Sequence, residues 1–242
     1  MSKKTLVGKR VAIIGGASGI GRETALAFLA AGSWVVIGDP DHGRARAVAD
    51  QFGRLHGGVI HGLTLDTARA EAFPDFLDAA ARKLGGLDAV VNAADAPPAE
   101  EFLVESDADT DRQIDVNLRA VIAGTRAAAR AFLDQGSGHI VNIGSAAGVT
   151  GALGTAVYCA TKHAVTGLGA ALQDGLAERG VLVSTVAPGY APGPEPVADA
   201  IVACVEQRRG GLVDVGQPGW FATARPAPIH LRRRVRRLFG AA

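Results

Sequence analysis

Cysteine is scarce in this chain: Cys159 and Cys204 are the only two in 242 residues. They offer neither a metal-ligand spacing nor a disulfide framework, which suits a reducing compartment. Cys159 neighbours Tyr158, and a small buried residue competes there with a nucleophile. Charge of one sign is missing as well. The net charge of +1 gives no global field for nucleic acid or an acidic partner. No apolar run is long enough to span a membrane. Lys3, Lys4, Lys9 and Arg10 precede the apolar Val11–Ile14, but Gly15 and Gly16 cut that run too early for a signal peptide. A cytoplasmic protein is expected. Linkers, low-complexity tracts and internal repeats are absent too.

What remains is 48% apolar residues and 32 glycines, enough for one α/β domain with an ample core. Short β-branched runs alternate with helical stretches. Val11–Ile14, Trp34–Gly38, Val59–Leu65, Asp88–Asn92, His139–Ile143, Val181–Ala187 and Leu212–Val215 read as strands. The segments between them read as helices, notably about 68–84, 108–133, 158–178 and 197–207. Strand–helix alternation throughout predicts a doubly wound parallel sheet of about seven strands, a single-domain Rossmann fold over residues 1–216.

The first strand runs into Gly15-Gly16-Ala17-Ser18-Gly19-Ile20-Gly21 and then a helix. Glycines there let the backbone turn tightly and approach a pyrophosphate resting on the helix N-terminus. Asp39 closes the second strand. It can accept hydrogen bonds from an adenosine ribose and repel a 2′-phosphate, or it can cap the helix starting near His42. Pro40 follows where a basic residue would help a phosphate, and Ser18 adds no charge, so NAD is expected over NADP.

Tyr158 and Lys162 are four apart, which on a helix puts both side chains on one face. Ser145 lies in a Gly/Ala-rich loop after the fifth strand. Together they suit proton transfer at a carbonyl or alcohol oxygen. Moving a tyrosine from ~10 to about 7 needs roughly 4 kcal/mol. One cation about 4 Å away at an effective dielectric of ~20 supplies that order, so Lys162 alone is expected to be nearly sufficient. The plainer reading is a half-buried core tyrosine and a solvated lysine. Asn117 sits inside a helical pattern that it does not favour, either facing solvent or aimed at the site. Ala164, Leu168, Leu172 and Leu176 form a stripe that serves the core or an oligomer interface.

These landmarks resemble the short-chain dehydrogenase/reductase family over nearly the whole chain. The Gly15-x-x-x-Gly19-x-Gly21 loop is similar to its cofactor motif, and Asn92-Ala93-Ala94 to its Asn-Asn-Ala-Gly stretch. Asn117, Ser145, Tyr158 and Lys162 follow the order of its catalytic tetrad, and Pro188-Gly189 matches the turn after strand six. The resemblance implies an NAD(P)-dependent oxidoreductase interconverting a secondary alcohol and a ketone, with no metal. Tyr158 would be the acid/base, Lys162 would lower its pKa and hold the nicotinamide ribose, and Ser145 would bind the substrate oxygen. Asn117 would hold a water linking Lys162 to solvent. Gly15, Ser18, Gly19, Ile20, Gly21, Asp39, Asp66, Asn92, Ala93, Pro188 and Gly189 would contact the cofactor, with Tyr158 and Lys162. A homodimer or homotetramer built on the helices of Asn117 and Tyr158 is also implied.

The chain departs from the pattern in several places. Ile14 stands for a threonine, and Ala93 and Asp95 replace the second asparagine and the glycine of the strand-four motif. The threonine expected after Pro188-Gly189 is missing, and the substrate-covering segment is short. Asp95 brings a charge near the cofactor. A cofactor-binding protein with weak or no turnover is therefore the alternative. The short cover and an apolar C-terminal part, with Trp220 and Phe221, suggest a hydrophobic substrate. Residues 217–242 are expected as an irregular segment and a basic amphipathic helix. That helix carries Leu231, Val235, Leu238 and Phe239 among five arginines. It would pack on the protein itself, a membrane surface or a protein partner.

Overall fold

The structure is a computed structural model describing residues 6–98, 100–152, 154–189 and 193–216, without the side chains of residues 149 and 150. Seven strands form one sheet: β1 (Arg10–Ile14), β2 (Trp34–Asp39), β3 (Ile60–Thr64), β4 (Ala89–Asn92), β5 (Gly138–Ile143), β6 (Val181–Pro188) and β7 (Gly211–Val215). Their order is β3-β2-β1-β4-β5-β6-β7, with every pairing parallel. The helices are α1 (Gly19–Ala30), α2 (His42–His56), α3 (Ala72–Leu84), α4 (Asp107–Ile114), α5 (Ala120–Gln135), α6 (Ala147–Thr150), α7 (Ala156–Ala177) and α8 (Pro194–Glu206). The doubly wound sheet expected from the strand–helix alternation is present.

Side-chain alternation along the strands sorts the core into two layers. Val11 and Ile13 of β1 join Phe28, Phe52 and Ile201 on the face covered by α1, α2 and α8. Ala12 and Ile14 point the other way, toward Phe73, Phe76 and Phe132 from α3 and α5. Strands covered on both faces need apolar residues at every position, which explains the unbroken β-branched runs. Phe28 is fully buried, and truncating it to alanine is expected to cost about 3–5 kcal/mol.

Register decides where function can sit. Ile14 pairs with Gly38 on one side and Asn92 on the other, while Asn92 pairs with Asn142. The carboxyl ends of β1, β2, β4 and β5 therefore lie level. The chain winds outward in both directions from β1 and β4, the switch point where open α/β sheets form a crevice.

Several boundaries differ from the sequence reading. The helix expected over about 108–133 is interrupted by a π turn, Asp115–Arg119, so α4 and α5 are separate elements. The third helix begins at Ala72 rather than near 68. On α7 the stripe is only half-buried. Val165 and Gly169 face the sheet, while Leu172 and Leu176 rest on the edge of the core. Among the described residues, no helix is long and apolar enough to cross a membrane. The C-terminal basic helix, Trp220 and Phe221 lie outside the described residues.

Candidate active site

A cleft of about 550 Å³ opens at the switch point, a volume within the usual range for small-molecule sites. One end is formed by the turn between β1 and α1. Gly15 has φ +78°, and a Cβ there would stand 2.6 Å from the Ala94 backbone. A side chain at Gly21 would run into the Gly15 carbonyl. Both glycines let backbone pack on backbone. At Gly19, by contrast, nothing lies within 4 Å of where a Cβ would point, and this residue lines the cleft. Ser18, the N-cap of α1, makes no side-chain cap bond, and the first turn carries no acid. An open glycine cradle at a helix N-terminus without an internal anion fits a dinucleotide pyrophosphate.

Asp39, at the end of β2, is buried and also lines the cleft. It is not the cap of α2. That role falls to Asp41, which accepts from the Arg44 amide at 2.9 Å. Asp39 instead accepts from the Asp41 amide at 3.1 Å and from the Arg44 guanidinium at 2.7 Å. Arg44 is half-exposed and lines the cleft. The expectation that no basic residue serves this corner is thus corrected. The guanidinium comes from the first turn of α2 rather than from the residue after Asp39.

The other end of the cleft holds the proton-transfer groups. Ser145 follows β5 in a loop pinned by the Ala146 amide on the Pro188 carbonyl, 2.8 Å, and the Gly144 amide on the Val186 carbonyl, 2.8 Å. Its hydroxyl accepts from the Ala147 amide at 3.1 Å and lines the cleft together with Tyr158. Tyr158 and Lys162 leave α7 one turn apart, with the ammonium 5.5 Å from the phenol ring centroid. Lys162 is 1% exposed. Burying an ammonium demands partners. Lys162 has the Ile143 carbonyl at 3.3 Å and Asp95 Oδ1 at 2.9 Å.

Asp95 changes the electrostatics. The Tyr158 phenol is pushed well above its ordinary value, first by burial and then by the Asp95 charge, with the Ser145 hydrogen bond opposing. This corrects the expectation that Lys162 alone acidifies the phenol. The ammonium is already paired, and it is paired with the carboxylate whose charge raises the phenol.

The remaining expected residues separate into two groups. Ile20, Ala93, Pro188 and Gly189 line the cleft. Asp66 does not. It is exposed, accepts from the Ala68 amide at 3.0 Å, and faces a different hollow, while Thr67 lines the cleft in its place. Asn92 lies beneath the site, its amide donating to Asn142 Oδ1 at 2.7 Å and Thr125 Oγ1 at 3.3 Å. Gly21 shapes the turn without facing the cleft.

Asn117 is fully buried in the π turn. Its Oδ1 accepts from the Ala96 amide at 2.7 Å and its Nδ2 donates to the Ala96 carbonyl at 2.8 Å. It faces inward, and its neighbour Val116 lines the cleft. Among the described residues, no group of three His, Cys, Asp or Glu side chains gathers as a metal site.

Comparison with known proteins agrees with this geometry. The sequence profile of the short chain dehydrogenase family matches residues 9–194. "2,5-dichloro-2,5-cyclohexadiene-1,4-diol dehydrogenase LinX" of Sphingobium indicum is 36% identical over 184 residues, 76% of this chain and 73% of that protein. "Probable oxidoreductase EphD" of Mycobacterium tuberculosis is 32% identical over 235 residues, 82% of this chain. The chain spans only 40% of that relative's length. Among solved structures, a short chain dehydrogenase from Mycobacterium smegmatis superposes with TM-score 0.82 at 28% identity, covering 90% of this chain and 95% of that one. A metagenomic short-chain oxidoreductase in complex with NADP superposes with TM-score 0.78 at 29% identity, covering 87% and 97%. Strands β1 to β6, the glycine turn and the Ser145–Tyr158–Lys162 cluster all fall within the matched span, and the chain belongs to the short-chain dehydrogenase/reductase family of oxidoreductases.

Proposed function

We propose that the protein is an NAD(P)-dependent oxidoreductase that interconverts a secondary alcohol and a ketone. The observation that carries this reading is a single cleft with a glycine cradle at one end and Ser145, Tyr158 and Lys162 at the other. A bound nicotinamide supplies the hydride acceptor or donor. The chain supplies the rest. Tyr158 gives a proton to the carbonyl oxygen in reduction and takes it from the hydroxyl in oxidation. Ser145 donates a hydrogen bond to that oxygen as charge develops on it. Lys162 contributes the buried positive charge, and Asn117 fixes the backbone beside it through Ala96.

Neither NAD nor NADP is favoured over the other. Asp39 suits a free ribose, Arg44 suits a 2′-phosphate, and the metagenomic relative is a complex with NADP. An apolar substrate is supported by Phe102, Leu103 and Val104, which stand exposed between β4 and α4. A homodimer or homotetramer through α5 and the half-buried stripe of α7 completes the proposal. The alternative of a fold retained without turnover is not favoured, since Ser145, Tyr158 and Lys162 converge in the cleft.

The test is cofactor oxidation and reduction, followed at the nicotinamide absorbance, over a panel of apolar ketones and secondary alcohols. Turnover that drops at least a hundredfold in Tyr158→Phe, with cofactor binding kept, is the expected result. Turnover unchanged by that substitution removes the assignment.

A further inference from the structure

Asp95 is an exposed acid at the reacting end of the cleft that the proton-transfer chemistry does not require, and the backbone around it is tied down. The Ala93 amide donates to the Ile14 carbonyl at 2.9 Å. Ala94 lies against Gly15 so closely that a Cβ on the glycine would collide with it. Ala96 is clamped at both its amide and its carbonyl by the buried Asn117. The backbone is therefore fixed on each side of Asp95. Its carboxylate, though partly exposed to solvent, lies on the Lys162 ammonium at 2.9 Å.

The charges along the cleft sum in a simple way. Among the described residues, four charged side chains line it: Asp39 and Arg44 at the adenosine end, Asp95 and Lys162 at the reacting end. Each forms an ion pair within its own end, at 2.7 Å and 2.9 Å. The reacting end is neutral overall with Asp95 and carries +1 without it. A hydride can pass only if the nicotinamide ring lies beside the substrate carbon that Ser145 and Tyr158 serve, so the ring shares this end with the pair. The oxidised ring is a cation and the reduced ring is neutral. An uncompensated ammonium would repel the first and leave the second almost unaffected.

We propose that Asp95 sets the oxidation-state preference of the cofactor site: by neutralising Lys162 it lets the oxidised cofactor bind at least as tightly as the reduced one, and so directs the enzyme toward alcohol oxidation. The inference rests on the cofactor reading above and deepens it. The same carboxylate, with burial, raises the phenol, so a further positive charge beside it would favour loss of the phenol proton. The oxidised ring brings that charge. Binding of the oxidised cofactor and loss of the phenol proton then favour each other reciprocally.

The test is calorimetric titration of the wild-type protein, Asp95→Asn and Asp95→Gly with NAD+, NADH, NADP+ and NADPH, with circular dichroism confirming that each variant is folded. For whichever cofactor pair binds, the wild type should hold the oxidised form at least as tightly as the reduced. Each variant should lose about tenfold or more for the oxidised form and stay within about twofold for the reduced. An unchanged ratio in either folded variant overturns the proposal. So does a wild-type protein that binds the reduced form tenfold more tightly, a result that needs no variant. A wild type that binds none of the four overturns the cofactor reading as well, which separates the two failures.

Discussion

The Asn117 carboxamide closes two hydrogen bonds on one backbone residue, Ala96, taking its amide proton at 2.7 Å and giving its own to the carbonyl at 2.8 Å. Asn117 can reach inward because the helix around it loosens into a π turn at Asp115–Arg119, and such turns often sit at functional sites. One side chain thus ties the middle of a long helical stretch to the segment that carries Asp95.

Replacing Asn117 with alanine removes both bonds and leaves two buried backbone groups unpaired. Each orphaned group costs about 1–3 kcal/mol, so a loss near 3 kcal/mol is expected. For a chain of this size that corresponds to a melting temperature lower by roughly 6–12 °C. Thermal melting followed by circular dichroism reads it directly. A shift below about 2 °C would mean that water or a neighbouring group takes over the clamp. Alcohol oxidation at subsaturating oxidised cofactor should fall alongside, because the Asp95 carboxylate is no longer held on Lys162.

The adenosine corner makes a separate prediction. The Arg44 guanidinium rests on Asp39 but is half-exposed, so it can turn from the carboxylate to a 2′-phosphate. Arg44→Ala should weaken NADP+ and NADPH about tenfold and leave NAD+ and NADH within about twofold. Asp39→Asn should act oppositely, improving the phosphorylated cofactors by removing the repelling charge. Dissociation constants for all four cofactors, in both variants, check the pair. Equal effects on phosphorylated and unphosphorylated forms would show that Arg44 never leaves Asp39.

How far residue order can go is visible at these sites. The glycine turn, Ser145, Tyr158 and Lys162 were legible because each stands at the end of a strand or one helical turn from its partner. Such local geometry follows from spacing. Asp66 against Thr67 was not legible. Which of two adjacent residues faces a cleft depends on where the strand stops, and β3 stops at Thr64. Arg44 was not legible from the residue after Asp39, because it is the first turn of the following helix that brings the guanidinium to the carboxylate. The Asp95–Lys162 pair joins the segment after β4 to the helix after β5, far apart in sequence, so a charge near the cofactor could be read but its partner could not. Periodicity also treated residues 108–133 as one helix, since a π turn costs only one extra residue in the pattern.

The buried imidazole of His139 gives the protein an acid-sensitive strand. It lies on β5, with Nε2 2.7 Å from Ser184 Oγ, and that hydroxyl donates onward to the Arg209 carbonyl. Burial, aided by the nearby Arg208 charge, lowers its pKa to about 4, so it is neutral in the fold. A group whose pKa is depressed on folding contributes stability that is present above its unfolded value, ~6.5, and is lost as pH falls toward the folded value. The loss by pH 4.5 should be roughly 2–3 kcal/mol from this residue. Urea unfolding of the wild type and His139→Gln at pH 7.5 and pH 4.5 isolates it. The variant should begin less stable, having lost a shaped hydrogen bond, and should decline less on acidification. Parallel declines in the two proteins would assign the acid sensitivity to other groups.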